Sequence, residues 1–154
     1  MKDNFGFTLM ELMIAIAIIG ILSAVAVPNM IHWRNNMQFN SALREVKQVI
    51  EDTRMEAIKA NMPARIDFTD GASSFDTVKW DSTANDFATP STHELPPGVV
   101  IANSDFTGDQ LQFSSRGMPN SIVGGTLRIE NSNGTQCRRI VIANTGTSRI
   151  VACP

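Results

Sequence analysis

The sequence predicts an α+β protein in which one long N-terminal helix packs on an antiparallel β-sheet domain that ends in a hairpin. Two observations support this prediction. An apolar block at residues 7–27 leads into an amphipathic helical pattern, and short β-type segments separated by turn residues fill the rest of the chain. The 154 residues are enough for one domain plus an anchor. A net charge of −2 argues against a dedicated nucleic-acid binder.

The apolar block, Phe7–Val27, contains three clearly polar residues, which are Thr8, Glu11 and Ser23. As an α-helix it would be roughly 30 Å long, which is the thickness of a bilayer core. A buried core helix is one alternative, but a helix that is apolar all round needs lipid or a larger protein around it. An ordinary secretory signal is another, but here the small residue, Gly6, precedes the apolar block. We therefore predict a transmembrane helix.

Glu11 is the one ionisable residue of this block. A carboxylate in a membrane helix costs roughly 2.5–3.5 kcal/mol on insertion scales and marks a candidate functional site. If the chain is cleaved after Gly6, Phe7 gains an α-amino group one helical turn away. That amine can pair with Glu11 of a neighbouring subunit and set the packing register. The alternative is that Glu11 lies at the membrane surface and stays hydrated.

The run Gly6-Phe7-Thr8-Leu9-Met10-Glu11, followed by the apolar helix, resembles the type III signal of type IV pilins and pseudopilins. The resemblance implies that a prepilin peptidase removes residues 1–6 and methylates Phe7, and that Glu11 guides assembly with other pilin or pseudopilin subunits. It also implies that residues 7–28 form a transmembrane and assembly helix, a single-pass anchor in a bacterial inner membrane. Residues 29–154 would then be a pilin-like domain in the periplasm. Pro28 matches a proline that these proteins often carry, and we expect it to kink the helix.

The helical pattern continues through residues 29–62 and stops before Pro63. Its apolar stripe is expected to pack on the domain: Phe39, Leu43, Val46, Val49, Ile50, Ala57 and Ile58. The β-rich part, residues 63–154, contains these candidate strands: Ala64–Thr69, Val78–Asp81, Val99–Asn103, Leu111–Ser114, Thr126–Glu130, Cys137–Ala143 and Ser148–Cys153. The segment Asp70–Gly98 is rich in Asp, Ser, Thr and Pro and is predicted to be mostly a long surface connection.

The two cysteines, Cys137 and Cys153, are expected to form a disulfide if this domain lies outside the cytosol. We take Asn144-Thr145-Gly146 as a three-residue hairpin loop in which Gly146 adopts the left-handed conformation. Ile140 then lies opposite Ile150, and Cys137 lies opposite Cys153. Directly opposed residues have Cβ atoms about 4.5–5.5 Å apart, which is close to the separation that a disulfide needs.

Three C-terminal segments, Leu111–Gly117, Gly125–Ile129 and Arg139–Gly146, are similar to the GspH/FimT family. That family comprises minor pseudopilins of type II secretion systems and minor pilins of type IV pili. The resemblance implies a structural subunit of a secretion pseudopilus, with a secreted substrate protein as a further partner. The alternative is a minor type IV pilin that acts in adhesion, pilus initiation or DNA uptake.

Some FimT-like proteins bind DNA through a Gly-Arg-x-Arg motif, and this chain has Gly146-Thr147-Ser148-Arg149, which lacks the first arginine. Arg138, Arg139 and Arg149 are the residues from which a weak DNA- or anion-binding patch would be built. In the hairpin register above, Arg139 and Arg149 share one face and Arg138 points to the other. Solubilising charge on exposed strands is the preferred interpretation, so DNA is kept as the less favoured partner.

The sequence shows no motif for catalysis, a metal or a cofactor. His32 and His93 are isolated, and no HExxH, Walker loop, Gly-x-Ser-x-Gly or CxxC pair is present. Five acidic residues lack EF-hand spacing and are expected to form a solvated surface: Asp67, Asp70, Asp76, Asp81 and Asp86. We therefore predict a protein that is not an enzyme. A membrane-tethered binding module that never polymerises is the alternative from a different class.

Overall fold

The computed structural model describes residues 8–120 and 124–154, and the statements below refer to these residues. One α-helix, α1, runs from Leu9 to Ala60 and contains Pro28. The strands follow in this order: β1 Ala64–Asp67, β2 Ser74–Asp81, β3 Asp86–Phe87, β4 Ser91–Glu94, β5 Val99–Ser104, β6 Gln110–Phe113, β7 Gly125–Asn131, β8 Cys137–Ile142 and β9 Ser148–Ala152. The chain forms two compact units, one ending at Met37 and the other spanning Gln38–Pro154.

The first unit is the helical segment up to Met37. Each of its described residues, 8–37, is exposed, and α1 is long and apolar enough to cross a membrane. Large side chains such as Leu9 and Val25 are 77% and 76% exposed. An apolar helix without a covering protein layer requires lipid or other apolar helices around it.

The second unit begins with the amphipathic part of α1. Its buried residues recur at intervals of three and four, which gives one stripe along the helix: Phe39, Ala42, Leu43, Val46, Ile50, Thr53 and Ala57. Val49 is partly buried against this core. The prediction for Ile58 is wrong, because that side chain is 39% exposed. Ala57 occupies the inward position in that turn, and the next residue is rotated by about 100°.

Two antiparallel sheets complete the second unit. The first has the order β3-β2-β1-β6, with β4 also paired to β2, and the second has the order β5-β7-β8-β9. Their inward side chains join the helix stripe in one apolar core, whose fully buried members include Ile66, Leu111, Phe113, Ile101, Leu127, Ile129, Ile140 and Ile142. The predicted α+β architecture, with a long helix and a C-terminal hairpin, is confirmed.

The prediction for Asp70–Gly98 as mostly a surface connection is wrong. The segment contains strands β2, β3 and β4, and it is anchored in the core by Phe75 and Leu95, which are 3% and 7% exposed. Most other side chains in these strands are polar, because these strands leave much of their surface in solvent. Composition therefore resembled that of a loop, and the two buried residues of β2, Phe75 and Val78, do not give the alternation of a half-buried strand.

Candidate functional site

The N-terminal assembly motif begins where α1 begins. Gly6 and Phe7, the predicted cleavage and methylation residues, lie outside the described residues. The Thr8 hydroxyl accepts a hydrogen bond from the Glu11 N–H at 3.2 Å, so Thr8 caps the helix and Glu11 lies in its first turn. A carboxylate is favourable there because the helix N-terminus carries partial positive charge.

Glu11 has no ion-pair partner within residues 8–120 and 124–154. It is also the only ionisable residue between Leu9 and Val27, and its neighbours are exposed apolar side chains. Any partner for its charge must come from the first seven residues, from solvent or from another chain. Pro28 lies inside α1, and the kink expected there stays a prediction.

The C-terminal hairpin has the predicted register. Ile140 pairs with Ile150 across β8 and β9. The Ala143 N–H donates to the Thr147 carbonyl at 2.9 Å, which closes the three-residue loop, and Gly146 has a φ of +81°.

Cys137 and Cys153 form a disulfide, with Cα atoms 5.8 Å apart. The bond joins the start of β8 to the residue after β9, so the edge strand is held at both ends. This confirms the pairing that the register predicted.

A clamp of polar contacts, formed by Glu51 and Arg54 of α1 with Gly117, Thr145 and Ser148, attaches the hairpin to the helix. The Arg54 Nε donates to the Gly117 carbonyl at 2.9 Å, and its Nη2 donates to the Thr145 carbonyl at 3.3 Å. The Glu51 carboxylate accepts hydrogen bonds from the N–H and the hydroxyl of Ser148. Within the helix, the Arg54 Nη1 lies 3.8 Å from the Glu51 Oε2, which makes the two side chains an ion pair.

The clamp changes the interpretation of the segment compared with the DNA-binding motif. Gly146 is buried, and a Cβ there would overlap the Gly117 carbonyl and Arg54. Ser148 is hydrogen-bonded to the helix. Arg149, the one cation of this segment, is exposed and has no ion pair within the described residues. The sequence interpretation missed Glu51 and Arg54, because no local pattern links a helix residue to a hairpin almost a hundred residues later.

The predicted arginine patch is only partly assembled. Arg139 and Arg149 share the outer face of the second sheet, as the register predicted, because Arg149 pairs with Val141 and Arg139 pairs with Val151. Arg138 lies on the opposite face of β8, and its Nη1 donates to the Cys137 carbonyl at 2.8 Å. The patch as predicted from these three residues is therefore not one continuous surface.

Arg128 joins Arg139 and Arg149 on the outer face, since it lies directly opposite Arg139 in the β7–β8 pairing. We call Arg128, Arg139 and Arg149 the arginine row. The Asn133-Gly134 turn signal was sufficient to find this neighbour, because a hairpin centred on those two residues places position 128 opposite position 139.

The acidic residues are engaged separately, and the described residues contain no group of three or more potential metal ligands. Asp70 accepts a hydrogen bond from the Ser104 N–H at 3.0 Å. Asp81 caps a turn, and the hydrogen bond from the Thr83 backbone N–H is the main cause that lowers the pKa of its carboxyl. These contacts stabilise the loops in which the two carboxylates lie.

A groove lies between α1 and the first sheet. It is lined by Asp52, Thr53, Lys79 and His93 among others. The His93 ring stacks on Phe75 with centroids 5.2 Å apart. Most residues that line this groove are polar, and the Thr77 hydroxyl lies 3.1 Å from the His93 Nε2, within hydrogen-bond distance.

Comparison with known proteins points to one family. The family model described as type II transport protein GspH matches residues 42–146, and the prokaryotic N-terminal methylation motif matches residues 1–27. The first curated relatives match over less than a third of this chain. Pilin PilA of Myxococcus xanthus is 50% identical over 44 residues, which is 29% of this chain and 20% of PilA. The chain spans only 20–30% of the length of these first relatives.

Solved structures share the fold. The type IV minor pilin FimU of Pseudomonas aeruginosa has a TM-score of 0.60 and 18% identity, over 79% of this chain and 92% of FimU. The minor pseudopilin EpsH of the Vibrio cholerae type II secretion system has a TM-score of 0.62 and 14% identity, over 75% of this chain and 97% of EpsH. Because the GspH model covers most of the second unit and the methylation motif covers the N-terminus, the chain belongs to the GspH family of pilin-like and pseudopilin structural subunits.

Proposed function

We propose that this protein is a minor pseudopilin that assembles into the pseudopilus of a type II secretion system and takes part in protein export. The observation that carries the proposal is the exposed apolar segment of α1 with a single carboxylate, Glu11, that has no ion-pair partner in the described chain. A soluble protein would not expose such a helix. Packing among like helices would cover the apolar surface and would also bring the α-amino group of a neighbouring subunit to the Glu11 carboxylate.

Assembly is proposed to require processing. Cleavage between Gly6 and Phe7 would remove the polar leader and free an α-amino group, which the peptidase methylates. The methylated amine stays positively charged, and it offsets the burial cost of Glu11 on the neighbouring subunit. The match to the N-terminal methylation motif over residues 1–27 supports this step.

The second unit is proposed to lie in the periplasm, with α1 anchored in the inner membrane. The Cys137–Cys153 disulfide supports this orientation, since disulfides persist in oxidising compartments and are rare in the cytosol. The apolar segment of α1 is long enough for one membrane pass. A membrane-anchored α1 with the second unit in the periplasm is the arrangement expected of a subunit that leaves the membrane to join a filament.

A minor type IV pilin is the second candidate. Its support is the fold shared with FimU, whose TM-score of 0.60 is nearly as high as the 0.62 for EpsH. The description of the matching family as a type II transport protein favours the secretion system. The two candidates share the same assembly chemistry and differ in the machine that receives the subunit.

Deletion of the gene from its host separates the two candidates. We expect the loss of secreted enzymes from the medium, to the level of a strain without the secretion ATPase, because the pseudopilus would lack a subunit. Surface pili and twitching motility should remain. Export is measured by enzyme activity in the supernatant and is restored by the complete gene. Loss of pili with normal export would favour the type IV pilus, and two unchanged phenotypes would contradict both candidates.

A further inference from the structure

The arginine row crosses three neighbouring strands on the outer face of the second sheet. Arg128 of β7 lies directly opposite Arg139 of β8. Arg149 of β9 is the diagonal neighbour of Arg139, because Arg139 pairs with Val151 two residues further on. Opposed side chains on one face are about 5 Å apart and diagonal ones about 7–8 Å apart. The three guanidinium groups therefore share one small surface.

This arrangement is unfavourable for an isolated chain, since like charges directly opposite each other destabilise a sheet. Glu130 forms an ion pair with Arg128, but Arg139 and Arg149 have no ion pair within residues 8–120 and 124–154. The Arg139 Nε is buried and has no hydrogen-bond partner in the described chain. Two of the three cations therefore lack the anion that would offset their repulsion.

The surroundings of the row favour a protein partner over a nucleic acid. Val141 and Val151 lie on the same face between the arginines, and residues 80–154 contain no lysine. Interfaces between proteins are enriched in arginine and depleted in lysine. The row spans roughly 10 Å, which is two strand spacings, whereas proteins that bind DNA through its backbone often contact about 6–10 phosphates.

We propose that the outer face of β7–β9, centred on the arginine row, docks an acidic surface of a neighbouring pilin-like subunit. The proposal rests on the proposed function, because it takes the partner from the filament. Guanidinium groups pair with carboxylates through two parallel hydrogen bonds. The Cys137–Cys153 disulfide lies on the same face and holds β8 to the chain end, so little order has to be gained on docking.

A photocrosslinker tests the surface in the full-length protein in its own host. p-Benzoylphenylalanine replaces Val151, and the adduct is identified by mass spectrometry. We expect an adduct with a pilin-like subunit, attached close to Asp or Glu residues. Arg139→Glu should reduce its yield by roughly tenfold or more, as expected when a close charge pair across an interface is lost.

Arg138→Glu is the matched control. The two arginines are adjacent in sequence, but Arg138 lies on the other face, so its replacement should leave the adduct unchanged. Arg139→Glu is expected to fold, because a carboxylate opposite Arg128 replaces a repulsive pair with an attractive one. Its melting temperature verifies this, and Arg139→Gln provides a second variant without reversed charge.

The outcomes separate the docking surface from the proposed function. Three outcomes would overturn the proposed docking surface. They are an adduct with nucleic acid, the absence of any adduct, and a subunit adduct that Arg139→Glu and Arg139→Gln leave unchanged. Processing and filament incorporation of the unmodified protein are measured in the same cells. Normal incorporation with any of those outcomes rejects the docking surface alone, whereas failure of incorporation rejects the proposed function. Charge reversal of the crosslinked carboxylate on the partner should restore the Arg139→Glu adduct.

Discussion

Replacement of Glu11 with glutamine is expected to leave the chain processed and membrane-bound but absent from filaments. Glutamine keeps the size and the hydrogen-bonding capacity of the side chain and removes only the charge. Without it, the methylated amine of the neighbouring subunit has no counter-ion in the apolar layer. Loss of one partner of a desolvated charge pair weakens an interface by about tenfold or far more. Quantitative immunoblots of sheared filaments and of membranes measure the ratio of filament-bound to membrane-bound protein.

Ser23→Ala is the matched control for this prediction. Ser23 and Glu11 are the two polar residues between Leu9 and Val27, and both side chains are exposed. Ser23 carries no charge, so its replacement should leave incorporation into filaments unchanged. Equal incorporation of Glu11→Gln and the unmodified chain would contradict the assembly role of Glu11. The interpretation as a membrane-tethered binding module that never polymerises would then be favoured.

Gly146→Ala is expected to destabilise the second unit strongly. Gly146 has a φ of +81°, and an added Cβ would overlap the Gly117 carbonyl that accepts the Arg54 hydrogen bond. The left-handed backbone costs about 1 kcal/mol for alanine, and overpacking adds typically 1–3 kcal/mol. We expect a total of roughly 3 kcal/mol, or about 10 °C in the melting temperature of the detergent-extracted chain.

Gly134→Ala isolates the backbone part of this effect. Gly134 has a similar φ of +66°, but nothing lies within 4 Å of an added Cβ. Its replacement should cost about 1 kcal/mol, or roughly 4 °C. If both variants melted at the same temperature, the clamp between α1 and the hairpin would not contribute to stability, and the close contact at Gly146 would be tolerated.

The hairpin was predictable because its information is local. The loop length, one glycine and two cysteines all specified the same register, and the structure has Ile140 opposite Ile150 as expected. The same reasoning applied to Asn133-Gly134 would have placed Arg128 opposite Arg139. The helix stripe was also predictable from its period, apart from Ile58 at the margin of the buried face.

The features that were missed depend on contacts between distant parts of the chain. β2 and β4 have few apolar residues, and their pairing is stabilised by Phe75 entering a core made by other elements. The clamp joins Glu51 to Ser148, and neither residue type indicates the other from sequence. The groove beside His93 likewise exists only once helix and sheet are packed. Periodicity describes one element at a time and contains none of these pairings.

The intact mass of the membrane-extracted protein, before and after reduction, tests the central claim most directly. The account predicts the mass of Phe7–Pro154 plus one methyl group, two hydrogens lower before reduction because of the Cys137–Cys153 bond. That result would establish peptidase processing and an oxidised domain in one experiment. A mass that still contains Met1–Gly6 would contradict the claim, because a chain with its leader has no free amine at Phe7 to pair with Glu11.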